Sequence, residues 1–332
     1  MLEHNLLLVI FTIFLALVFD FLNGFHDAAN SIATVVSTRV LKPHWAVVWA
    51  AVFNFSAFFF FGIHVANTIG TGLVNPEVIN VMMILVALIS AILWNLITWY
   101  YGIPSSSSHA LIGGLIGVAI AKAGFGSLHI SGILKVILAI VCSPLLGFII
   151  GQLLMLITVR CFFNYTPSKI DGIFRKGQLI SSALISLGHG GNDAQKTMGI
   201  IAILLYASGN LGKVFYVPLW VALSCYFIIS LGTLLGGWKI VKTMGMRITK
   251  LKPVSGFCAE TASAGTLFLA TFLGVPVSTT HTITGAIVGV GSLQSSAAVR
   301  WGVARKIVWA WVLTIPASAI LSALIWLTIT HL

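Results

Sequence analysis

Charge is scarce in this chain. Of 332 residues, 18 are Lys or Arg and 7 are Asp or Glu, 8% in all. A water-soluble domain carries about 25%, so a water-facing surface around the whole molecule is excluded. Cysteine is scarce too. Cys142, Cys161, Cys225 and Cys258 stand far apart, a spacing that supports neither a disulfide framework nor metal ligation. No basic stretch precedes the first apolar run and no small-residue cleavage site follows it. That run is therefore expected to be a retained span.

What is abundant is apolar sequence: 58% hydrophobic residues and a mean hydropathy of +1.06. Leu6–Phe19, Trp45–Val65, Val78–Tyr101, Ile133–Val159, Phe215–Leu235 and Lys306–Ile329 are near-continuous apolar runs. Most approach or exceed the roughly 20 residues that a membrane-spanning helix needs. The expected class is an all-α polytopic membrane protein in contact with lipid.

The net charge of +11 does not point to nucleic acid, because the basic residues fall in short clusters between apolar runs. The clusters are Arg39 and Lys42; Arg160, Lys169, Arg175 and Lys176; Lys239, Lys242, Arg247, Lys250 and Lys252; and Arg300, Arg305 and Lys306. This is the pattern that marks cytoplasmic loops. Five crossings per half are expected, at about 5–38, 45–65, 78–101, 105–122 and 133–159. The second five are 178–206, 215–238, 256–273, 276–293 and 306–330. With these, 14 of the 18 Lys and Arg lie inside and both termini outside. Ten to twelve membrane segments follow, with 78–122 the stretch where re-entrant hairpins could replace full spans.

The chain also repeats itself. Asn23-Gly24-Phe25-His26-Asp27-Ala28 returns as His189-Gly190-Gly191-Asn192-Asp193-Ala194, offset by 166. Gly102-Ile103-Pro104-Ser105-Ser106-Ser107-Ser108-His109, followed by Gly113 and Gly117, returns as Gly274-Val275-Pro276-Val277-Ser278-Thr279-Thr280-His281, followed by Gly285 and Gly289. Here the offset is 172. Two motifs recurring in order predict a duplicated chain: residues 1–160 and 178–332 as inverted repeats, joined by a cytoplasmic linker at 161–177. Glycine and asparagine form helices poorly, so a break is expected within each Asp motif. Each Pro-Ser/Thr motif is expected to open a helix within a hairpin. Broken helices in matched positions of inverted halves point to a transporter's central site.

Asp20, Asp27, Asp193 and Glu260 lie inside apolar segments. A charge at the bilayer centre costs at least about 2.5–3.5 kcal/mol on insertion scales, so such residues mark functional sites. Asp27 and Asp193, being repeat-related, are the pair expected to take a coupling cation or proton. Asn23, Asn30 and Asn192 are candidates to complete an oxygen cage. If the ion is sodium, Asp27 and Asp193 are its ligands. The competing reading is that these carboxylates only cap broken helices or pair with Lys196. Asp20 stands seven residues before Asp27 and could serve a second cation site, a proton relay or structure alone. Glu260 has no acidic counterpart, since Leu88 holds its repeat position. His26 could tune the proton affinity of Asp27, while His109 and His281 are expected to position hairpins. Ser106, Ser107, Ser108, Ser278, Thr279 and Thr280 bring hydroxyls to helix N-termini, where free amides and the positive dipole end favour anions. Gln195 and Lys196 are further candidate contacts. The plainer reading is that these hydroxyls bond back to carbonyls or hold helices together.

The stretch from Asn23 to Val35, the Gly190–Lys196 motif and the two Pro-Ser/Thr motifs resemble the signatures of the inorganic phosphate transporter (PiT) family. The resemblance spans about residues 15–325. It implies a secondary transporter, with no covalent cofactor, that carries phosphate on a cation gradient through two inverted repeats. It also implies a homodimer in the bacterial cytoplasmic membrane. Members similar at Phe25-His26-Asp27 are proton-coupled and can take phosphate as a divalent metal complex; others use sodium, and some relatives move sulfate. The large hydrophilic insertion of many members is absent, with only about Phe162–Gln178 between the halves. An intramembrane hydrolase using Ser108 and His109 is disfavoured. Adjacent helical residues point apart, and no G-x-S-x-G elbow is present.

Overall fold

The structure, a computed structural model, describes residues 2–212 and 214–331, with side chains from residue 6 onward. The described residues are helical almost throughout. In chain order the helices are α1 (Leu2–Ser37), α2 (Pro43–Ser56), α3 (His64–Thr71), α4 (Val81–Tyr101), α5 (Ser107–Ala123) and α6 (Ile130–Cys161). Then follow α7 (Pro167–Ala207), α8 (Leu219–Leu235), α9 (Trp238–Lys242), α10 (Pro253–Phe272), α11 (Thr279–Gln294) and α12 (Trp301–His331). Elements six apart match: long α1 and α7, the bent pairs α2–α3 and α8–α9, the hairpins α4–α5 and α10–α11, and long α6 and α12. Pro144 inside α6 and Pro316 inside α12 share the 172-residue offset.

Two expectations are corrected here. The Asp motifs do not break their helices: α1 runs 36 residues and α7 runs 41 without interruption. Their glycines serve close approach instead. A Cβ on Gly24 would lie 2.0 Å from the carbonyl oxygen of Ile229 in α8, and one on Gly190 would lie 2.4 Å from that of Asn54 in α2. Packing of this kind outweighs the roughly 1 kcal/mol that a helical glycine costs. The breaks fall instead within 45–65 and 215–238, each expected to be one crossing. α2, extended by a 3-10 turn, meets α3 at 83°, and α8 meets α9 and its following π-helical turn at 64°.

Among the described residues, length and apolar character alone mark fewer full spans than the ten to twelve membrane segments expected. Four helices (α1, α4, α6 and α12) are long and apolar enough to span a bilayer, or six spans if each bent pair counts as one. The hairpin helices α5 and α11 have 17 and 16 residues, about 25 Å of rise. That is shorter than the roughly 30 Å hydrocarbon core. Of the linker placed at 161–177, α7 takes up everything from Pro167 onward.

Both hairpins are as the motifs predicted. Gly102 (φ 65°) ends α4 and Gly274 (φ 67°) follows α10, the left-handed region that suits glycine at a helix end. Pro104 and Pro276 lie in the connecting stretches and not in the first helical turn. Ser106 and Ser278 cap the next helices, their Oγ atoms accepting from the amides of His109 (3.3 Å) and His281 (3.2 Å). Each hairpin then packs on the other half of the chain. α5 lies on α12, with Gly117 against the carbonyl of Ala319, and α11 lies on α6, with Gly285 against that of Pro144. Such small-residue seams let membrane helices approach closely.

The hairpin turns are held by opposite bent helices. Thr243, just after α9, donates to the Gly102 carbonyl (3.1 Å), while Thr68 of α3 donates to that of Gly274 (2.8 Å). The basic clusters gather at the Gly102 end. Arg175 donates to the Arg39 carbonyl (2.6 Å), Gly245 abuts Ala33 and Ser37, and the Arg300 amide donates to the Ile248 carbonyl (2.9 Å). The outward faces of α6 and α12 are apolar and exposed, from Leu134 and Leu138 to Trp309, Val312 and Ile320. A surface of this size and kind faces lipid.

Candidate functional site

Asp27 on α1 and Asp193 on α7 lie where these two helices meet the N-termini of α5 and α11. Both carboxylates are buried, at 3% and 0% exposure. His26 Nδ1 stands 2.9 Å from Asp27 Oδ1, and its Nε2 faces Thr98 Oγ1 at 3.3 Å. Thr280, in the first turn of α11, donates to Asp27 Oδ1 (3.3 Å), and Thr279 donates to Asp193 Oδ2 (3.4 Å). Asn30 donates to both hydroxyls, at 2.9 and 3.0 Å. One ligand atom each of Asp27, Asp193 and His189 lie within 4.8 Å of one another. Carboxylates this close repel unless a cation or proton joins them.

Lys196 ties the pieces together. Its Nζ donates to Asp193 Oδ1 (2.6 Å), to Ser108 Oγ of the first hairpin (2.6 Å) and to the Val277 carbonyl of the second (2.7 Å). One buried ammonium therefore satisfies all three of its donors across both hairpins. The acidic and basic side chains of the cluster, Asp27, Asp193 and Lys196, together carry one negative charge. An oxyanion is repelled by that balance until a cation is added, so the arrangement can couple anion binding to cation binding.

The expected residues divide into those brought together and those set apart. Asp27, Asp193, Asn30, Lys196, Ser108, Thr279 and Thr280 form one hydrogen-bonded cluster. Ser106 and Ser278 border it as caps, and the buried Ser107 Oγ has no partner among the described residues. Asn192 donates to Thr271 Oγ1 (3.0 Å) and the Val275 carbonyl (3.3 Å), bracing the second hairpin. Gln195 is taken up elsewhere. Its Oε1 accepts from the amide of Val65 (2.9 Å) in the first turn of α3, and its Nε2 donates to Gly191. The bond to Gly191 uses one of the two N–H donors on Nε2. Asp20 accepts from Thr197 (2.7 Å) and keeps a buried, unpartnered Oδ2, as Asn23 keeps an unpartnered Oδ1. Glu260 forms a separate cluster, accepting from Thr34, Ser181 and Gln178. His109 and His281 meet ring to ring at 4.6 Å, bracing the two hairpins as expected.

Sequence reasoning passed over His189, whose Nε2 lies 3.6 Å from Asp193 Oδ2 and whose Nδ1 pairs with Asn54 Oδ1 at 3.1 Å. A signal existed: His189 is the 166-residue counterpart of Asn23 and stands one helical turn before Asp193. Thr34, Ser181 and Gln178 carried none, being ordinary polar residues until the fold places them on Glu260.

Residues 23–322 match the model of the phosphate transporter family. The chain belongs to this family. A probable low-affinity inorganic phosphate transporter of Rhizobium meliloti (strain 1021) is 61% identical over 317 residues, covering 96% of this chain and 95% of that one. One of Bacillus subtilis (strain 168) is 47% identical over 322 residues, covering 96% of each. The fold is similar to a solved structure titled as the sodium-dependent phosphate transporter, with a TM-score of 0.87 and 27% identity. The match covers 98% of this chain and 99% of that one. Membership makes the chain a multi-pass membrane carrier of phosphate and not an enzyme. The cluster around Asp27 and Asp193 lies wholly within the matched span, and Asp20 lies just before it.

Proposed function

We propose that the chain is a symporter of inorganic phosphate with alternating access around the Asp27–Asp193 cluster. The two halves act as inverted repeats, residues 1–160 and 178–332. The observation that carries this reading is Lys196, which joins a carboxylate of the cation site to both hairpin tips. A proton or sodium ion entering beside Asp27 and Asp193 cancels the net negative charge, and phosphate then meets the amides and hydroxyls opening α5 and α11. The crossed hydrogen bonds at Gly102 and Gly274 support the inversion, since each hairpin turn rests on the bent helix of the other half.

The proton is the first candidate for the coupling ion, because His26 is bonded directly to Asp27. Sodium, named for the solved neighbour, is the alternative. Hydrogen phosphate can donate a hydrogen bond to a carboxylate and sulfate cannot, which favours phosphate. The test is uptake of labelled phosphate into proteoliposomes, with proton and sodium gradients imposed separately, magnesium varied and sulfate as competitor. Uptake that follows the proton gradient and ignores sulfate is expected, and a rise with magnesium would indicate the metal complex as cargo. Uptake only under a sodium gradient would make Asp27 and Asp193 sodium ligands. Transport of sulfate in place of phosphate would overturn the substrate.

The same reading puts the basic end in the cytoplasm of a bacterial inner membrane, both termini outside, and the carrier in homodimers. Single cysteines replacing Lys242 and Lys250 should resist an impermeant maleimide in intact cells and react after permeabilisation; labelling in intact cells would reverse the orientation. Crosslinking in the membrane at dimer mass is the matching check on assembly.

A further inference from the structure

Away from the transport cluster, the lipid-facing surface carries an apolar groove of about 940 Å³ between α6, α11 and α12. Pro144 and Phe148 form one wall, Thr284 and Val288 the floor, and Val308 and Trp311 the other wall. At one end it opens beside Trp301 and Arg305, in the first turns of α12. Arg305 is exposed and makes no ion pair or hydrogen bond among the described residues, and Arg300 and Lys306 flank it. The groove thus joins an apolar trough at membrane depth to an unneutralised cationic rim at the level where interfacial tryptophans sit.

We propose that this groove is a binding site for an anionic phospholipid. The acyl chain lies along Pro144, Phe148 and Val308, and the headgroup phosphate rests on Arg305. Charge complementarity selects the occupant. A neutral chain would suit the trough but leave Arg305 without a counterion, whereas an anionic headgroup supplies one. Basic pockets between membrane helices on the cytoplasmic side are the usual places for such headgroups.

The groove also has a route to transport. Trp311 lines it, yet its Nε1 donates to the Pro104 carbonyl at the first hairpin tip (3.2 Å), and its ring stacks on His281 of the second at 3.9 Å. A lipid packed against Trp311 therefore bears on a side chain that touches both hairpins. The lipid acts as a brace of the hairpins, not as a substrate.

The experiment is native mass spectrometry of the purified carrier after exchange into equal amounts of phosphatidylglycerol and phosphatidylcholine of identical chains. Wild type should retain phosphatidylglycerol preferentially. Arg305→Gln should reduce that preference about fivefold, the effect of one basic residue at an anionic surface. Val308→Trp, which fills the trough, should reduce retention of both lipids. Equal retention of the two lipids by wild type would overturn the proposal whatever the variants do. So would a cysteine at position 308 crosslinking to its copy in a second chain, because the groove would then be a subunit interface. As a functional readout, wild-type phosphate uptake should rise when phosphatidylglycerol is added to phosphatidylcholine vesicles, and Val308→Trp should lose that response. The lipid measurement needs no transport, so its failure is separate from any failure of the symport reading.

Discussion

Asp27→Asn is expected to abolish cation-driven phosphate uptake and leave the protein folded; Asp193→Asn is expected to abolish uptake and also to lower stability. The two aspartates are repeat-related and each accepts from one hydroxyl of α11, Thr280 for Asp27 and Thr279 for Asp193, yet their charge partners differ. Asp27 faces His26 and, among the described residues, no lysine or arginine, so removing the carboxylate's charge strands no permanent cation. Asp193 is the ion-pair partner of Lys196, whose Nζ lies 1% exposed in the core of the site. Removing one member of a buried pair costs about 3–5 kcal/mol because the other is left uncompensated. Asparagine keeps the shape and an acceptor oxygen, so Thr280 can still donate at position 27.

Both variants lose the charge that, in the proposed symport, a proton or sodium ion neutralises. Uptake driven by the gradient should therefore fall by at least about 100-fold, the equivalent of roughly 3 kcal/mol of cation binding. The measurement is initial uptake in proteoliposomes beside thermal unfolding of the same preparations. Near-normal uptake in either variant would remove that aspartate from the coupling role. Equal melting temperatures for Asp193→Asn and wild type would show that Lys196 finds another counterion.

How much of this was legible in the sequence depends on what each residue type can signal alone. Asp27, Asp193 and Lys196 were legible because charge in an apolar run has few explanations. Ser106 and Ser278 were legible as caps because a hydroxyl after a proline, before an apolar run, has a local purpose. Gly24 and Gly190 misled. A glycine that breaks a helix and one that admits a neighbouring carbonyl look the same in sequence, and only the partner helix distinguishes them. The bend at 60–63 was hidden inside the apolar run Trp45–Val65, whereas the one at 236–237 falls on Gly236-Gly237, a turn signal just past the run that ends at Leu235. The exchange of hairpins between halves, α5 onto α12 and α11 onto α6, is a tertiary choice that no local pattern records. The same holds for Gln195, whose polar side chain suggested an anion contact while the fold uses it to cap α3.

Lys196→Met should raise the KM for phosphate by more than tenfold, and the pairing of charges decides how it does so. Three hydrogen bonds from one ammonium are lost, those to Asp193, Ser108 and Val277. A single bond to a charged group contributes about 1.5–3 kcal/mol, and about 1.4 kcal/mol is a tenfold change in binding. The cluster also goes from one net negative charge to two, which repels an oxyanion more strongly. Lys196→Arg should not rescue it. The planar, longer guanidinium cannot place three donors at 2.6–2.7 Å on a carboxylate, a hydroxyl and a carbonyl in different directions. The double variant Asp193→Asn with Lys196→Met separates stability from transport. Removing both charges leaves no stranded ion, so its melting temperature should exceed that of either single variant. Its gradient-driven uptake should stay abolished, since the cation site has lost a carboxylate and the hairpins their shared ammonium. Restored uptake in the double variant would mean that the Asp193–Lys196 pair only holds the helices together, and that cation and anion binding are joined elsewhere.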